Sequence, residues 1–258
     1  MSGLVSRRGL ITTGLAGAGG LMLSGCDRLA SAPAFKSFLG AGDSLTFHSQ
    51  RLLLSGQPLA REFSLSQRSP VFKSNGTHMP ASDAYQALLK GGFADYRLAV
   101  EGLVGRPASL SLADLQAMTA RSQITRHDCV EGWSAIGQWT GVQLSRVLKL
   151  VGVSPKARYV VFRCADDLDN SLDGSGQYYE SIDLFDAFHP QTILAWALNG
   201  QPLDPPHGAP LRLRVERQLG YNQAKYIMRI QLVDRLDTIM GGKGGYWEDR
   251  GYEWYGGI

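Results

Sequence analysis

Apolar and polar positions alternate over Tyr96-Arg97-Leu98-Ala99-Val100-Glu101, and the run stops at Gly102. Alternation of period two puts one face of an extended chain against a core, so a half-buried strand is predicted there. Ser111-Leu112-Ala113-Asp114 has capping-box spacing, and Leu112, Leu115 and Met118 follow at helical intervals. Ser122 to Asp128 reads as a strand delivering Cys129 to a loop. Leu144, Val147, Leu148 and Val151 mark one face of a short helix that Gly152 stops. Tyr159 to Phe162 is β-branched and aromatic, as a buried strand requires. Ile193 to Leu198 predicts another strand, and Asn199-Gly200 a tight hairpin turn. Leu211, Leu213 and Val215 alternate with Arg212, Arg214 and Glu216, which predicts one core face and one polar face. Tyr226 to Leu232 is expected to be the closing strand. Strands and short helices come mixed, without a regular strand–helix–strand repeat. That pattern predicts an α+β fold with mixed sheets and short helices.

Composition adds bounds. A chain of 258 residues can bury one large core or two small ones, and 31 glycines favour turns and strands over a helical bundle. Lys and Arg number 26 against 23 Asp and Glu. Setting aside Arg7 and Arg8 leaves 24 basic residues, and so near-neutral a body gives no electrostatic case for binding nucleic acid.

The two arginines belong to an address. Ser6-Arg7-Arg8-Gly9-Leu10-Ile11 precedes a glycine-diluted apolar run, as in a twin-arginine export signal. Leu23-Ser24-Gly25-Cys26 then has the form of a bacterial lipobox. Residues 1–25 are therefore expected to be a signal peptide, with Cys26 lipidated and the protein anchored by lipid in the periplasm. The twin-arginine route carries folded chains, which suits a protein that acquires a cofactor before export. Residues 26–67 show no sustained period and predict a tether and a wrapping segment. Residues 68–235 form the expected catalytic domain, and 236–258 a tail rich in glycine and aromatic residues.

Candidate chemistry gathers around Arg126-His127-Asp128-Cys129-Val130-Glu131-Gly132-Trp133-Ser134. A thiolate is a soft anionic ligand suited to a borderline-soft metal, although a structural cysteine fits the same residue equally well. Asp169 to Gly174, with Glu180, approaches a calcium-loop pattern, but Ser171 and Gly176 stand where the pattern needs other residues, so a mobile acidic loop beside a site fits better. Tyr178 and Tyr179 end that loop. Pro205-Pro206-His207-Gly208-Ala209-Pro210-Leu211-Arg212 delivers a histidine and an arginine together, and Gly220-Tyr221 and Lys225 follow. A planar guanidinium with a nearby ammonium suits an anionic, phosphate-bearing ligand. No dinucleotide fingerprint, P-loop or paired-cysteine zinc spacing occurs in the chain.

Asp128-Cys129-Val130-Glu131-Gly132-Trp133 with Trp139-Thr140-Gly141 resembles the cysteine loop of the sulfite oxidase family of molybdopterin enzymes. So do Asn199-Gly200, His207 to Arg212, and Gly220-Tyr221 to Lys225, in the same order. The resemblance implies the sulfite-oxidase molybdopterin-binding fold and a molybdenum–molybdopterin cofactor. It makes Cys129 the thiolate ligand of molybdenum and sets Tyr178 near the metal, bonding an oxo group or substrate. Asn75, Cys164, His207, Arg212 and Lys225 would contact the cofactor. Two departures bear on substrate. Sulfite oxidases follow the cysteine with Gly-Asn-Arg-Arg, whereas Val130-Glu131-Gly132-Trp133 is similar to the periplasmic methionine-sulfoxide reductase branch. His207, in turn, matches the oxidase side.

The implied activity is oxygen-atom transfer to or from a small S- or N-oxide or oxyanion. The short tail after Val233 leaves the resemblance without a dimer domain or fused haem. Electrons would then pass through a separate membrane cytochrome b or soluble cytochrome c. Two other classes fit the residues: a binding lipoprotein that keeps the fold without the centre, and a hydrolase using Cys129 as nucleophile.

Overall fold

A computed structural model describes residues 32–169 and 174–258. The expected signal segment 1–25 and Cys26 lie outside the described residues, as do positions 170–173 of the acidic loop. The chain divides between Ser55 and Gly56. On the first side, Pro33–Leu53 is a 21-residue helix, α1, where the pattern predicts only a tether. Proline at its first turn supplies a preset φ, and Ala, Leu, Lys, Gln and Arg favour the helix, while Gly40 and Gly42 weaken it most. No described helix is long and apolar enough to cross a membrane.

From Gly56 onward two five-stranded sheets share one fold. In the first, the order is β2 (Ala108–Ser111), β1 (Arg97–Gly102), β10 (Ile227–Val233), β5 (Tyr159–Asp167) and β6 (Gln177–Asp183). In the second, β3 (Ala120–Asp128), β4 (Ser134–Gln143), β7 (Ile193–Leu198) and β8 (Gln201–Pro202) run in order, and β9 (Arg212–Arg214) also pairs with β7. The closing strand of the sequence pattern is instead a central one. β10 pairs in parallel with β1 and antiparallel with β5. Its place follows from composition: Ile227, Ile230 and Leu232 are buried, and a strand with partners on both edges leaves no ladder open.

Several local expectations are met by identifiable physics. Helix α3 (Leu112–Ala117, after the α2 helix Asp83–Lys90) begins with Ser111 and Asp114 capping each other's backbone. Helix α4 (Leu144–Val151) buries Leu144, Val147, Leu148 and Val151 and ends at Gly152, whose φ of 70° suits glycine. Burying each such side chain stabilises the fold by about 1.5–3 kcal/mol. Asn199 and Gly200, at φ 53° and 81°, make the two-residue turn between β7 and β8. The expected polar face of β9 is the exception. Arg212, Arg214 and Glu216 are as buried as Leu211, Leu213 and Val215.

The wrapping segment has a definite seat. Phe63 N donates to Ile124 O at 2.9 Å and Ser69 N to Ile136 O at 2.9 Å, so residues around 62–69 lie along the β3–β4 hairpin. That leads Phe72 into a small second core with Ala135, Trp139, Ile193, Leu198 and Ala209. At the C-terminal end the chain folds back over the first sheet. Leu219 N donates to Gly256 O at 2.8 Å, and the Trp254 indole donates to Ser181 Oγ at 2.9 Å.

Candidate active site

Cys129 sits in the short loop of the β3–β4 hairpin. Cys129 N donates to Trp133 O at 3.0 Å, Gly132 N donates to Cys129 O at 3.0 Å, and Gly132 takes a φ of 85° to close the turn. The charged neighbours hold the hairpin together. Asp128 accepts from Arg126 Nε at 2.9 Å and from Ser134 Oγ at 2.5 Å, while Glu131 accepts the Trp133 indole N–H at 2.9 Å. His127 turns inward. Its Nδ1 accepts from Arg214 at 2.9 Å, and burial followed by the Arg214 charge holds it well below the usual imidazole range, hence neutral.

Cys129 is 7% exposed and lines a cavity of about 200 Å³. Asn75 Nδ2 approaches Sγ at 3.9 Å. Burial, and after it the Glu131 charge, push the thiol up, while the Glu131 amide and Asn75 pull it back. The cavity lining combines two chemistries. Asn75, Gly76, Thr77, Asp166, Gln223 and Lys225 are mostly polar or charged; Val130, Leu168, Tyr178, Tyr221, Trp247 and Tyr252 are apolar or aromatic.

Of the residues singled out in the sequence, Cys129, Asn75, Tyr178 and Lys225 line this cavity. The Lys225 ammonium is held by the carbonyls of Asn75 (2.7 Å), Thr77 and Pro206 (3.1 Å), without a carboxylate ion pair among the described residues. Burial first, then Arg212, lower its pKa to about 7. Gly208 makes this possible, because a Cβ there would stand 2.9 Å from Lys225 Cβ. Tyr178 reaches the cavity, but its hydroxyl donates to the Tyr221 carbonyl at 2.5 Å, leaving its lone pairs for a ligand.

Arg212, His207 and Cys164 lie behind the lining. Arg212 stacks over Trp139 at 4.9 Å, donates to His207 O at 3.0 Å, and keeps Nε buried without a partner. Burial and Arg214 lower its pKa to about 9. His207 bridges Asp204 (2.5 Å) and the Phe72 carbonyl (2.9 Å), and so positions the segment that leads to Asn75. Cys164 is fully buried in β5, where burial pushes its thiol well up.

Sequence reasoning missed Asp166, Gln223, Trp247 and Tyr252. Asp166 reaches the cavity because the β5–β6 register shifts between Arg163 and Asp167. Such irregularities re-aim side chains. Burial raises Asp166 to about 6, and its Oδ1 has no partner.

The donor set suits an anionic, metal-bearing group. A soft sulfur ligand opens on the cavity, a buried ammonium without a carboxylate partner stands beside it, and a guanidinium behind it keeps an unused N–H. The class of protein these residues fit is one with the molybdopterin-binding domain of an oxidoreductase. The chain belongs to the oxidoreductase molybdopterin binding domain family, whose profile matches residues 86–238, and the fold is that of the sulfite oxidase family.

Among relatives, the chain is 44% identical over 164 residues to the "Putative protein-methionine-sulfoxide reductase subunit YedZ1" of Azospira oryzae, covering 64% of this chain and 56% of that protein. It is 38% identical over 144 residues to the protein-methionine-sulfoxide reductase catalytic subunit MsrP of Xanthomonas campestris pv. campestris, covering 53% and 44%. The chain thus spans about half the length of the curated relatives it matches. Among solved structures it is similar to the sulfane dehydrogenase SoxCD from Paracoccus pantotrophus, with a TM-score of 0.49 and 24% identity over 55% of this chain and 39% of that one.

Proposed function

We propose that the protein is a periplasmic sulfoxide reductase, exported folded by the twin-arginine route and tethered by lipid at Cys26. Its reaction consumes two electrons and two protons for each sulfoxide converted to sulfide and water. When bound, molybdenum–molybdopterin supplies two-electron oxygen-atom transfer chemistry. Cys129 holds the metal, Asn75 steadies the thiolate, and Lys225 and Arg212 offset the cofactor's negative charge. His207 holds the Phe72–Asn75 segment in place. Electrons arrive from a separate cytochrome. The names of the relatives, both subunits of methionine-sulfoxide reductases, support this reading.

One observation carries the choice of substrate. The loop that presents the Cys129 thiol contributes Val130 and the acidic Glu131 to the cavity lining, and no arginine. A carboxylate there disfavours an oxyanion such as sulfite, whereas a neutral sulfoxide brings no charge to repel.

The test uses full-length protein matured with molybdenum, compared with Cys129→Ser. The wild type is expected to carry molybdenum and to reduce methionine sulfoxide with a reduced dye faster than it oxidises sulfite. Cys129→Ser is expected to fold and lose the metal. A folded wild type without molybdenum, or one that oxidises sulfite and leaves sulfoxide untouched, overturns the proposal. Retention of the protein in the cytoplasm of cells lacking the twin-arginine translocase checks the export route.

A further inference from the structure

Five aromatic rings form a closed circuit at the cavity. Tyr178 stacks on Tyr246 with centroids 5.7 Å apart, and Tyr246 meets Trp247 edge to face at 5.2 Å. Trp247 lies against Tyr252 at 5.4 Å, and Tyr252 meets Tyr221 edge to face at 5.3 Å. The hydroxyl of Tyr178 completes the circuit by donating to the Tyr221 carbonyl at 2.5 Å. All but Tyr246 line the cavity that also holds the Cys129 thiol.

The C-terminal segment that supplies three of these rings is fastened by groups other than the rings' faces. Asp249, at the end of helix α6 (Tyr246–Asp249, after the α5 turn Leu184–Ala187), accepts from Gly241 N and Lys243 N at 3.0 Å each. It also accepts from the Tyr179 hydroxyl at 2.5 Å. The Tyr221 hydroxyl donates to Glu253 O at 2.8 Å. Anchored this way, the segment holds Trp247 and Tyr252 in place before any ligand arrives, so binding costs little ordering entropy.

Such a wall selects by surface rather than by charge. Ring faces and edges favour apolar and aromatic groups, and sulfur makes favourable contacts at ring edges. Exposure rises along the lining from Cys129 at 7% to Tyr252 at 42% and Val130 at 46%. The cavity therefore runs from a buried reacting end to an open rim, aromatic on the Trp247–Tyr252 side and acidic at Glu131.

We infer that Trp247 and Tyr252 form a specificity subsite for the apolar, preferentially aromatic, substituent of a neutral sulfoxide whose S–O group faces Cys129. The inference rests on the sulfoxide-reductase reading for the identity of the ligand, and its test is read by binding rather than by turnover. Full-length, molybdenum-loaded protein is titrated by calorimetry with methyl p-tolyl sulfone and with dimethyl sulfone, analogues that keep the shape and resist reduction.

The wild type is expected to bind the aryl sulfone at least about tenfold more tightly. Trp247→Ala and Tyr252→Ala should each lose most of that preference, and Tyr252→Phe should keep it. Equal affinity of the wild type for both sulfones overturns the subsite, and this comparison stands even where an alanine variant fails to fold. Undiminished preference in a folded Trp247→Ala protein also overturns it. Aryl preference intact in a protein that reduces no sulfoxide overturns the reductase reading instead and supports the subsite.

Discussion

Glu180 and Glu248 bring carboxylate oxygens to within 2.8 Å of one point, the position a Cβ on Gly245 would occupy. Both side chains are fully buried, and neither forms an ion pair among the described residues. Glu180 accepts the Ser181 amide at 2.8 Å, but Glu180 Oε2 and both oxygens of Glu248 have no partner. Two carboxylates so placed cannot both ionise cheaply. Burial, then the charge of its neighbour, pushes Glu180 well above the usual carboxylate range, and burial raises Glu248 to about 8.

The pH dependence follows from the sign of these shifts. A carboxyl whose folded pKa lies above its unfolded one binds more protons when folded, so stability falls as pH rises between the two values. Below about 4.5, the ordinary glutamate value, Glu248 is protonated in both states and contributes no slope; between there and about 8 its stability is progressively lost, and Glu180, raised in the same direction, adds to the loss. A shift of that size in a buried group corresponds to on the order of 5 kcal/mol. Calorimetric melting of the wild type should show Tm dropping from pH 5 to pH 9. Glu248→Gln should flatten much of that slope and melt higher than the wild type at pH 8. Parallel profiles for the two proteins would exclude Glu248 as a source of the slope.

Arg214 predicts a stability effect that reaches the cysteine loop. Its guanidinium pairs with Glu216, donates to His127 Nδ1 at 2.9 Å and stacks over Trp139 at 4.5 Å, all with no exposure. Arg214→Met leaves Glu216 buried with only the Gln123 amide, which donates at 2.7 Å. Breaking one side of a buried pair costs about 3–5 kcal/mol. Denaturant titration should show that loss. Molybdenum content should fall with it, because His127 precedes Cys129 by two positions and loses its anchor. Arg214→Lys is expected to recover only part of either, since an ammonium cannot make the forked contact.

These contacts mark where the sequence was legible. The α4 face, the Ser111 capping box and the Asn199-Gly200 turn were all foreseen, because each is decided by residues within one or two turns of chain. The burial of Arg212, Arg214 and Glu216 was not. Alternation reports which residues differ from their neighbours, and it cannot tell a solvated face from one covered by Trp139 and His127. The central place of β10 escaped for a related reason, since a parallel pairing with β1 depends on contacts more than a hundred residues away in sequence. At the site, Cys129, Asn75 and Lys225 stood out through their motif. Asp166 depends on a register shift and Trp247 and Tyr252 on how the tail folds, and no local spacing encodes either. The long helix at Pro33–Leu53 escaped because its Ser, Ala and Gly content reads as a tether.

Gly208 supplies a second test of the cation cradle. It adopts a φ of 103°, and a Cβ there would meet Lys225 Cβ at 2.9 Å and Arg212 Cβ at 3.2 Å. Gly208→Ala therefore adds backbone strain, of order 1–3 kcal/mol, to a displacement of both cations. The expected protein melts lower and carries less molybdopterin, measured as the fluorescent oxidation product released on denaturation. Gly200→Ala makes the control. Its φ of 81° is equally strained, but a Cβ there would meet nothing within 4 Å, so it should cost stability without cofactor loss.

Glu131 tests the electrostatic argument for a neutral substrate. Glu131 is among the residues that line the cavity, and its carboxylate accepts the Trp133 indole N–H at 2.9 Å. Glu131→Gln keeps the shape and an acceptor for that indole while removing one negative charge from the vicinity of the reacting atoms. At the separations of a small cavity and the effective dielectric of a partly solvated site, one unit charge changes the binding of a singly charged anion by about 1–2 kcal/mol. Sulfite carries one to two charges at neutral pH, so its inhibition constant should fall by roughly five- to thirtyfold in Glu131→Gln. The effect should shrink as salt is raised, because the cavity rim is open to solvent. Methionine sulfoxide has no net charge at the reacting group, and its KM should move much less. If sulfite inhibition is unchanged in a fully loaded Glu131→Gln enzyme, the carboxylate does not set the charge preference, and the shape of the aromatic wall must do so alone.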